Sequence, residues 1–443
     1  MPPRQPKSLA ESQELVQTVD LLTKAAQTVV SEWKKEADIL NNPATTTRPH
    51  AYPITATLPS HGLYEAQRIV LAATGKLTEL VSEPSERLIE VAAQYQESRA
   101  LYIAAERRIA DILAGQGGGG GGGGSSSNGA GKHISDISKE AKIESRKLSR
   151  ILRCLSSMGI FKQTGQDVFA NNSISAALVS NEPLRAFIRL ANGDAFSASD
   201  RLPHTLLNPQ TGSSYDVAKT SWQNTIGTTK SRWEWIEERV KPEELVPSGV
   251  HYPGIPSLVL EPQPQGEDGL LSKAYPDLRF VVQDRAPVAK QGQELWLKEK
   301  PDLITSGRVK FLAHDFFTKN PVEGADIYFL RYIIHDWSDE YCVRILSAVR
   351  QSMAPHSRVL ICDQVMNTTL GSPYQTSAPA PLPANYGYHT RFSHSRDITM
   401  MATINGIERT PEEFKAIIEA AGLKIRQILA VRSQVSLIEA ELA

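Results

Sequence analysis

Residues Asp326–Ala354 read DIYFLRYIIHDWSDEYCVRILSAVRQSMA. The first part, DIYFLRYII, is a short apolar run suited to a strand buried on both faces of a parallel sheet. The second part, DEYCVRILSAVRQSMA, repeats its apolar residues at steps of three and four and predicts a helix. Runs of the same strand type lie on both sides: LRFVVQD and VKFLAHDF before it, RVLICDQVM after it. TPEEFKAIIEAAGLK adds a helix, and the closing KIRQILAVRSQVSLIEAEL predicts a terminal antiparallel pair. From about residue 276 onward the expectation is an α/β domain with a doubly wound sheet, whose ligands sit beyond the carboxyl ends of the strands.

The residues just past each strand are then the informative ones. LRFVVQD ends on Asp284, a carboxylate that can accept both hydroxyls of a nucleoside ribose or cap the next helix, with Pro287 in that helix's first turn. The following strand ends at Asp315 and Phe316, which can meet the edge and face of an adenine, though Phe316 and Phe317 suit a core equally well. DIYFLRYII delivers His335, which titrates near neutrality and can take a proton from a hydroxyl. RVLICD ends on Asp363, and the later loop NGIERT supplies Glu408. Either carboxylate can orient His335 and stabilise its charged form.

Upstream, residues 8–40 have helical spacing at Leu15, Val19, Leu22, Ala26 and Val29, and a Pro/Thr-rich linker follows at 41–60. A second helical region spans about 62–114. The run from Gly115 to Gly131 is a flexible Gly/Ser tether and not a phosphate loop, because Gly131-Lys132 is followed by His133 where a Ser or Thr is required. Residues 132–172 read as helix, turn, helix and β-wing. Lys147, Arg150 and Arg153 lie on the second helix, where a DNA-binding winged helix makes its contacts. With no basic excess in the chain, a solvated scaffold helix is the preferred reading.

The chain has 443 residues, enough for two or three domains, and a formal net charge of −1 gives no bulk attraction to nucleic acid or anionic membrane. Its three cysteines, Cys154, Cys342 and Cys362, form no metal-ligand pair and suggest no disulfide framework. Without a signal peptide or a membrane-length apolar run, the expected address is the cytoplasm.

FLRYIIHDWSDEYCVRIL, GRVKFLAHDFF, DLRFVVQDR and NGIERTPEEFKAIIEAAGLKI together resemble fungal O-methyltransferases of the caffeic-acid type, from about residue 62 to the end. The resemblance implies a helical dimerisation and winged-helix domain over 62–195, after an N-terminal helix and linker at 1–61. It implies a Rossmann-like methyltransferase domain over 196–443, S-adenosylmethionine as cofactor, no metal, a homodimer, and a small-molecule hydroxyl acceptor. In that family pattern His335 is the general base, with Asp363 and Glu408 flanking it; the first is often Glu in relatives. Asp284 is the ribose acid, Asp315 and Phe316 contact the adenine, and Arg331 lies on the strand leading to the base. Met400, Met401 and Phe392 are candidates to line the acceptor pocket, and the Pro-rich segment 372–395 is a candidate cover.

One stretch departs from the family. Relatives carry a strand, a glycine-rich turn and a helix ahead of the AYPDLRF strand, so that backbone amides approach the cofactor's methionine end. Here YPGIPSLVLEPQPQGEDG joins LLSKAYP directly, which reads as a deletion between Gly266 and Leu270. SLVLE can act as a replacement strand, but Pro262 and Pro264 fill the turn where free amides are wanted. Two alternatives to a methyltransferase follow: a methyltransferase-like binding protein without turnover, and a pericyclase on the same fold.

Overall fold

The computed structural model describes residues 7–41, 59–115, 131–239 and 275–443. The departing stretch 256–269 lies outside the described residues, as does most of the linker at 41–60 and of the tether at 115–131. The chain forms two compact units.

The smaller unit contains the described residues between Glu83 and Arg239, apart from Tyr215–Val217. Strands β1 (Lys132–His133), β2 (Phe161–Gly165) and β3 (Val168–Asn171) form an antiparallel sheet in the order β1-β3-β2. Helices α3 (Ile134–Ala141) and α4 (Ser145–Ser157) pack on it through Ile134, Ile137, Leu148, Leu152 and Leu155. Those residues recur at three- and four-residue steps, so one stripe of each helix is buried. Lys147, Arg150 and Arg153 are on the exposed side of α4.

The larger unit contains the described residues up to Ser82, Tyr215–Val217, and the described residues from Tyr275 onward. Helices α1 (Leu9–Asn41) and α2 (His61–Val81) pack together, Val29 against Leu63 and Ala66, with Lys76 bridging to Glu14 at 3.0 Å. The Tyr64 hydroxyl donates to the carbonyl of Ser433 at 3.1 Å, and Arg432 donates to the carbonyl of Pro59 at 2.7 Å. These bonds pin α2 to the turn between the last two strands.

Among the described residues the sheet of this unit is in two pieces. β4 (Phe280–Asp284) and β5 (Val309–Ala313) form a parallel pair, with Phe280 opposite Val309 and Asp284 opposite Ala313. β6 (Ile327–Arg331) is parallel to β7 (Arg358–Asp363), and β9 (Ser436–Leu442) and β8 (Leu423–Ala430) complete the order β6-β7-β9-β8. No strand among the described residues joins β4–β5 to β6–β7. Along β6 the side chains alternate, so Tyr328 is buried while Ile327 and Phe329 are 54% and 50% exposed on the other face. An apolar face of this kind is what a neighbouring layer ordinarily covers.

Around β6–β9 the core is continuous. α6 (Asp339–Arg350) buries Cys342, Ile345, Leu346 and Val349 against Val359 and Ile361 of β7. Its first turn carries Asp339 and Glu340 and its last turn Arg350, matching the helix dipole. α8 (Pro411–Ala420) adds Phe414, Ile417 and Ile418 to the same core, and starts at a capping box in which Thr410 and Glu413 each bond the other's backbone amide. After β4, Arg285 is the N-cap of α5 (Ala286–Glu299), so Asp284 is not the capping residue and Pro287 lies in the first turn.

Candidate active site

β6 ends at Arg331, and Tyr332 turns the chain with φ +52°, a left-handed conformation that is costly for a bulky residue. The Tyr332 amide is held by the carbonyl of Cys362 at 3.2 Å. A single 3₁₀ turn, Ile334–Asp336, then buries His335 at 1% exposure.

Three groups fix this histidine. Its carbonyl accepts the amide of Ile407 at 2.8 Å, its amide donates to Asp363 Oδ2 at 3.3 Å, and its Nδ1 lies 2.9 Å from Glu408 Oε1. Expected as flanking acids, Asp363 and Glu408 thus divide the work: Glu408 meets the ring and Asp363 meets the main chain. Nδ1–H donated to Glu408 leaves Nε2 as the nitrogen with a free lone pair in the neutral imidazole. Nε2 is buried without a hydrogen bond, 3.3 Å from Asp336 Oδ1. Asp363 Oδ1 and Glu408 Oε2 are also buried without a hydrogen bond. Buried polar atoms left in this state normally await a ligand or water.

The electrostatics follow from the burial of these charges together. Burial lowers the pKa of His335, but the Asp336 charge, the Glu408 hydrogen bond and the Asp363 charge outweigh it and raise the value to about 9. Burial raises Asp336 to about 7 against the opposing pull of His335, and it raises Asp363 to about 6.

Several residues of this cluster have no signal that singles them out in the sequence. Asp336 faces Nε2 although only His335 stands out in the IIHDW turn. Arg396, on α7 (Arg391–Ile404), donates from Nε to Glu408 Oε1 at 3.1 Å. Asp397 accepts the Glu408 amide at 2.9 Å. Arg409 is fully buried, with guanidinium bonds to the carbonyls of Ile334, Ile407 and Trp337 and to Asp339 Oδ1. A charged residue next to Glu408 in NGIERT was the available clue to that pin.

The other candidates sit at neighbouring strand ends. Asp284 closes β4, and its Oδ1 accepts the Arg285 amide at 2.7 Å. Asp315 is exposed two residues past β5, with Oδ1 accepting the Phe317 amide at 3.0 Å. Phe316 is half-buried, edge-on to Phe317 at 4.8 Å and to Trp337 at 5.9 Å, so the end of β5 is packed against the loop that carries His335. The Arg331 guanidinium stands 5.3 Å from the Tyr332 ring centre. Of the candidate lining residues, Met400 is buried, Met401 is half-buried and Phe392 is exposed. Leu382 and Tyr386, from the Pro-rich segment, are buried against Ala72 and Ala73 of α2.

Residues 270–424 match the model of the O-methyltransferase domain family. The chain is 56% identical to O-methyltransferase gedA of Aspergillus terreus, across 99% of this chain and 98% of that one. The chain belongs to the O-methyltransferases. Its methyl donor is S-adenosylmethionine. The alignment with gedA runs over 489 residues against the 443 present here, so parts of that methyltransferase have no counterpart in this one. Among solved structures, OxaC in complex with SAH and oxaline matches with a TM-score of 0.64 at 18% identity, covering 98% of this chain and 100% of that one. A structure described as a pericyclic reaction enzyme matches equally well, with a TM-score of 0.64 at 19% identity over 86% of this chain and 95% of that one. These two likenesses show the fold and do not choose between chemistries.

The described residues of this O-methyltransferase fit the nucleoside end of the donor. Carboxylates follow two adjacent parallel strands at Asp284 and Asp315, with the aromatic face of Phe316 beside the second. Carboxylates there accept the hydroxyls of a ribose diol and the amino group of an adenine, and an aromatic face stacks on the base, at the carboxyl edge of such a sheet. Among the described residues, none of the glycine-rich backbone that would take the methionine end is present. No group of residues suited to a metal ion occurs among them either, and no described helix is long and apolar enough to cross a membrane.

Proposed function

We propose that this chain transfers the methyl group of S-adenosylmethionine to a phenolic or enolic hydroxyl of an aromatic or polyketide-like small molecule, with His335 as general base. The observation that carries the proposal is the His335–Glu408 contact at 2.9 Å with Nε2 left buried and without a hydrogen bond. Bound at the strand ends, the donor supplies a methyl group already activated on a sulfonium sulfur. The chain then has to align the acceptor oxygen with that methyl group and remove one proton. His335 Nε2 takes the proton, Glu408 holds the tautomer and stabilises the imidazolium, and Asp363 fixes the backbone of the base. Asp284 holds the ribose, Asp315 and Phe316 the adenine, and Arg331 stands at the approach to the base. Dimerisation through the helical region 62–195 and a cytoplasmic address belong to the same proposal.

Calorimetric titration of the full chain with S-adenosylmethionine and with S-adenosylhomocysteine tests this reading. Micromolar binding, weakened in Asp284→Ala, is the expected result. Unaltered affinity in that variant removes Asp284 from the site. No heat from a folded wild-type chain overturns the proposal and leaves a binding or pericyclic role.

A further inference from the structure

The helix that holds Glu408 begins where the Pro-rich segment ends. Two residues of α7 fix this glutamate: Arg396 Nε donates to Glu408 Oε1 at 3.1 Å, and Asp397 Oδ1 accepts the Glu408 amide at 2.9 Å. A single 3₁₀ turn, Gly387–Thr390, runs directly into α7. Ahead of that turn stands Tyr386 with φ +64°. Such a left-handed backbone is costly for a bulky residue and persists only where its surroundings enforce it.

Those surroundings are α2. The Tyr386 side chain is 1% exposed and packs on Ala72 and Ala73. Its hydroxyl donates to Glu65, and the Arg68 guanidinium, paired with Glu65 at 3.1 Å, lies 3.5 Å from its ring centre. Farther along α2, Gly75 meets the 3₁₀ turn itself. A Cβ on Gly75 would lie 2.1 Å from Tyr388 Cβ and 3.4 Å from Tyr388 Cα. The Tyr388 ring is in turn 4.2 Å from the guanidinium of Arg391, the first residue of α7.

A glycine inside a helix costs about 0.5–1 kcal/mol against alanine, so α2 by itself gains from a side chain at position 75. The approach of Tyr388 is what excludes one. Two independent features, the strained Tyr386 and the bare Gly75, therefore fix the start of α7 against α2. Arg396 follows Arg391 by about one and a half helical turns, a span over which a helix moves as one piece.

We infer that α2 sets the position of the base through α7. Gly75 and Tyr386 are positioning residues: they hold α7, α7 holds Glu408, and Glu408 holds the His335 imidazole. The inference deepens the methyl-transfer reading and rests on it for its kinetic consequence alone.

The test follows the imidazole N–H resonance of His335 in the full chain, isotopically labelled at histidine and assigned by its loss in His335→Gln. A proton donated from Nδ1 to buried Glu408 is protected from exchange and gives a separate downfield line. Gly75→Ala should shift or broaden that line. It should also lower kcat for phenol methylation by about 10²-fold, the scale of a misplacement of about 1 Å, with donor affinity unchanged. Gly62→Ala is the same change earlier in α2, where a Cβ comes no nearer than 3.5 Å to the Glu32 side chain, and should leave line and rate as in the wild type. Adding Tyr388→Gly to Gly75→Ala removes the opposing Cβ and should restore both, a repair that a general loss of stability does not allow. Tyr386→Phe keeps the ring, drops the bond to Glu65, and should move the line less.

An unmoved line in Gly75→Ala, an equal change in Gly62→Ala, or no recovery in the double variant overturns the inference. If Gly75→Ala does not fold, an unmoved line in Tyr386→Phe overturns it. A wild-type chain that transfers no methyl group while the line responds as stated leaves the positioning role intact, and only the methyl-transfer reading falls.

Discussion

The backbone of Gly406 passes so close to His335 that a Cβ on the glycine would lie 2.4 Å from the His335 carbonyl oxygen. The next residue, Ile407, donates its amide to that same oxygen at 2.8 Å. The loop that brings Glu408 to the imidazole therefore depends on the missing side chain and not on an unusual φ. Gly406→Ala must push the loop or the base aside. Since a displacement of about 1 Å can cost about 10²-fold, kcat should fall on that scale. Donor affinity should stay near wild type. Steady-state kinetics with a donor titration check both, and a wild-type kcat would show that the close approach is not needed.

Glu408→Gln should move the pH profile in a defined direction. Transfer needs neutral His335, so kcat/KM rises as pH passes upward through the pKa of the base. Burial lowers that pKa, while Asp336, Glu408 and Asp363 raise it to about 9. Removing the Glu408 charge takes away one of the raising contacts, so the rising limb should shift to lower pH. An unmoved limb, or one displaced upward, would mean that Glu408 does not set the proton affinity of the base.

Arg409 is the pin beneath the base. Three carbonyls, of Ile334, Ile407 and Trp337, accept from its guanidinium. Arg409→Leu leaves these acceptors unsatisfied at a buried site, each costing about 1–3 kcal/mol. Thermal or urea unfolding should show a loss of at least about 2 kcal/mol. A change below half a kilocalorie, the ordinary scale of surface substitutions, would mean that water or a shifted loop replaces the guanidinium.

Hydrogen exchange should rank the strands. β7 is bonded on both sides, by β6 and β9, whereas among the described residues β4 and β5 pair only with each other, and two-stranded arrangements are marginal by themselves. Amides of Val359–Cys362 should exchange most slowly and those of Phe280–Asp284 much faster. Equal protection of the two would mean that the sheet pieces are joined into one.

Much of this architecture is local and so can be read from the chain. Apolar runs such as IYFLR and VLICD need only their own residues to declare a buried strand, and the polar residue that follows is automatically at the ligand edge. The TPEEF capping box announces its helix in the same way. His335, Asp363 and Glu408 come together as expected because each ends or follows such an element. What the sequence does not carry is the assignment of contacts across long separations. Glu408 reaches His335 over 73 residues, and nothing in the order of residues says that Asp363 meets the amide and Glu408 the ring. Asp336 and Arg396 have ordinary solvated-charge contexts in the sequence. Only burial beside His335 and a shared Glu408 oxygen distinguish them. Among the described residues no strand stands between β4 and β6, and the departing stretch, whose sequence lacks the family's glycine-rich turn, lies outside them.

The most direct test of the account measures transfer of labelled methyl from S-adenosylmethionine to a panel of phenols by the wild type and by His335→Ala, each at saturating donor. The account predicts turnover by the wild type and a loss of about 10²–10⁴-fold in the variant, the range for removing a general base, with unchanged donor affinity. Equal rates in the two chains, or a parallel collapse of donor binding in the variant, would contradict it.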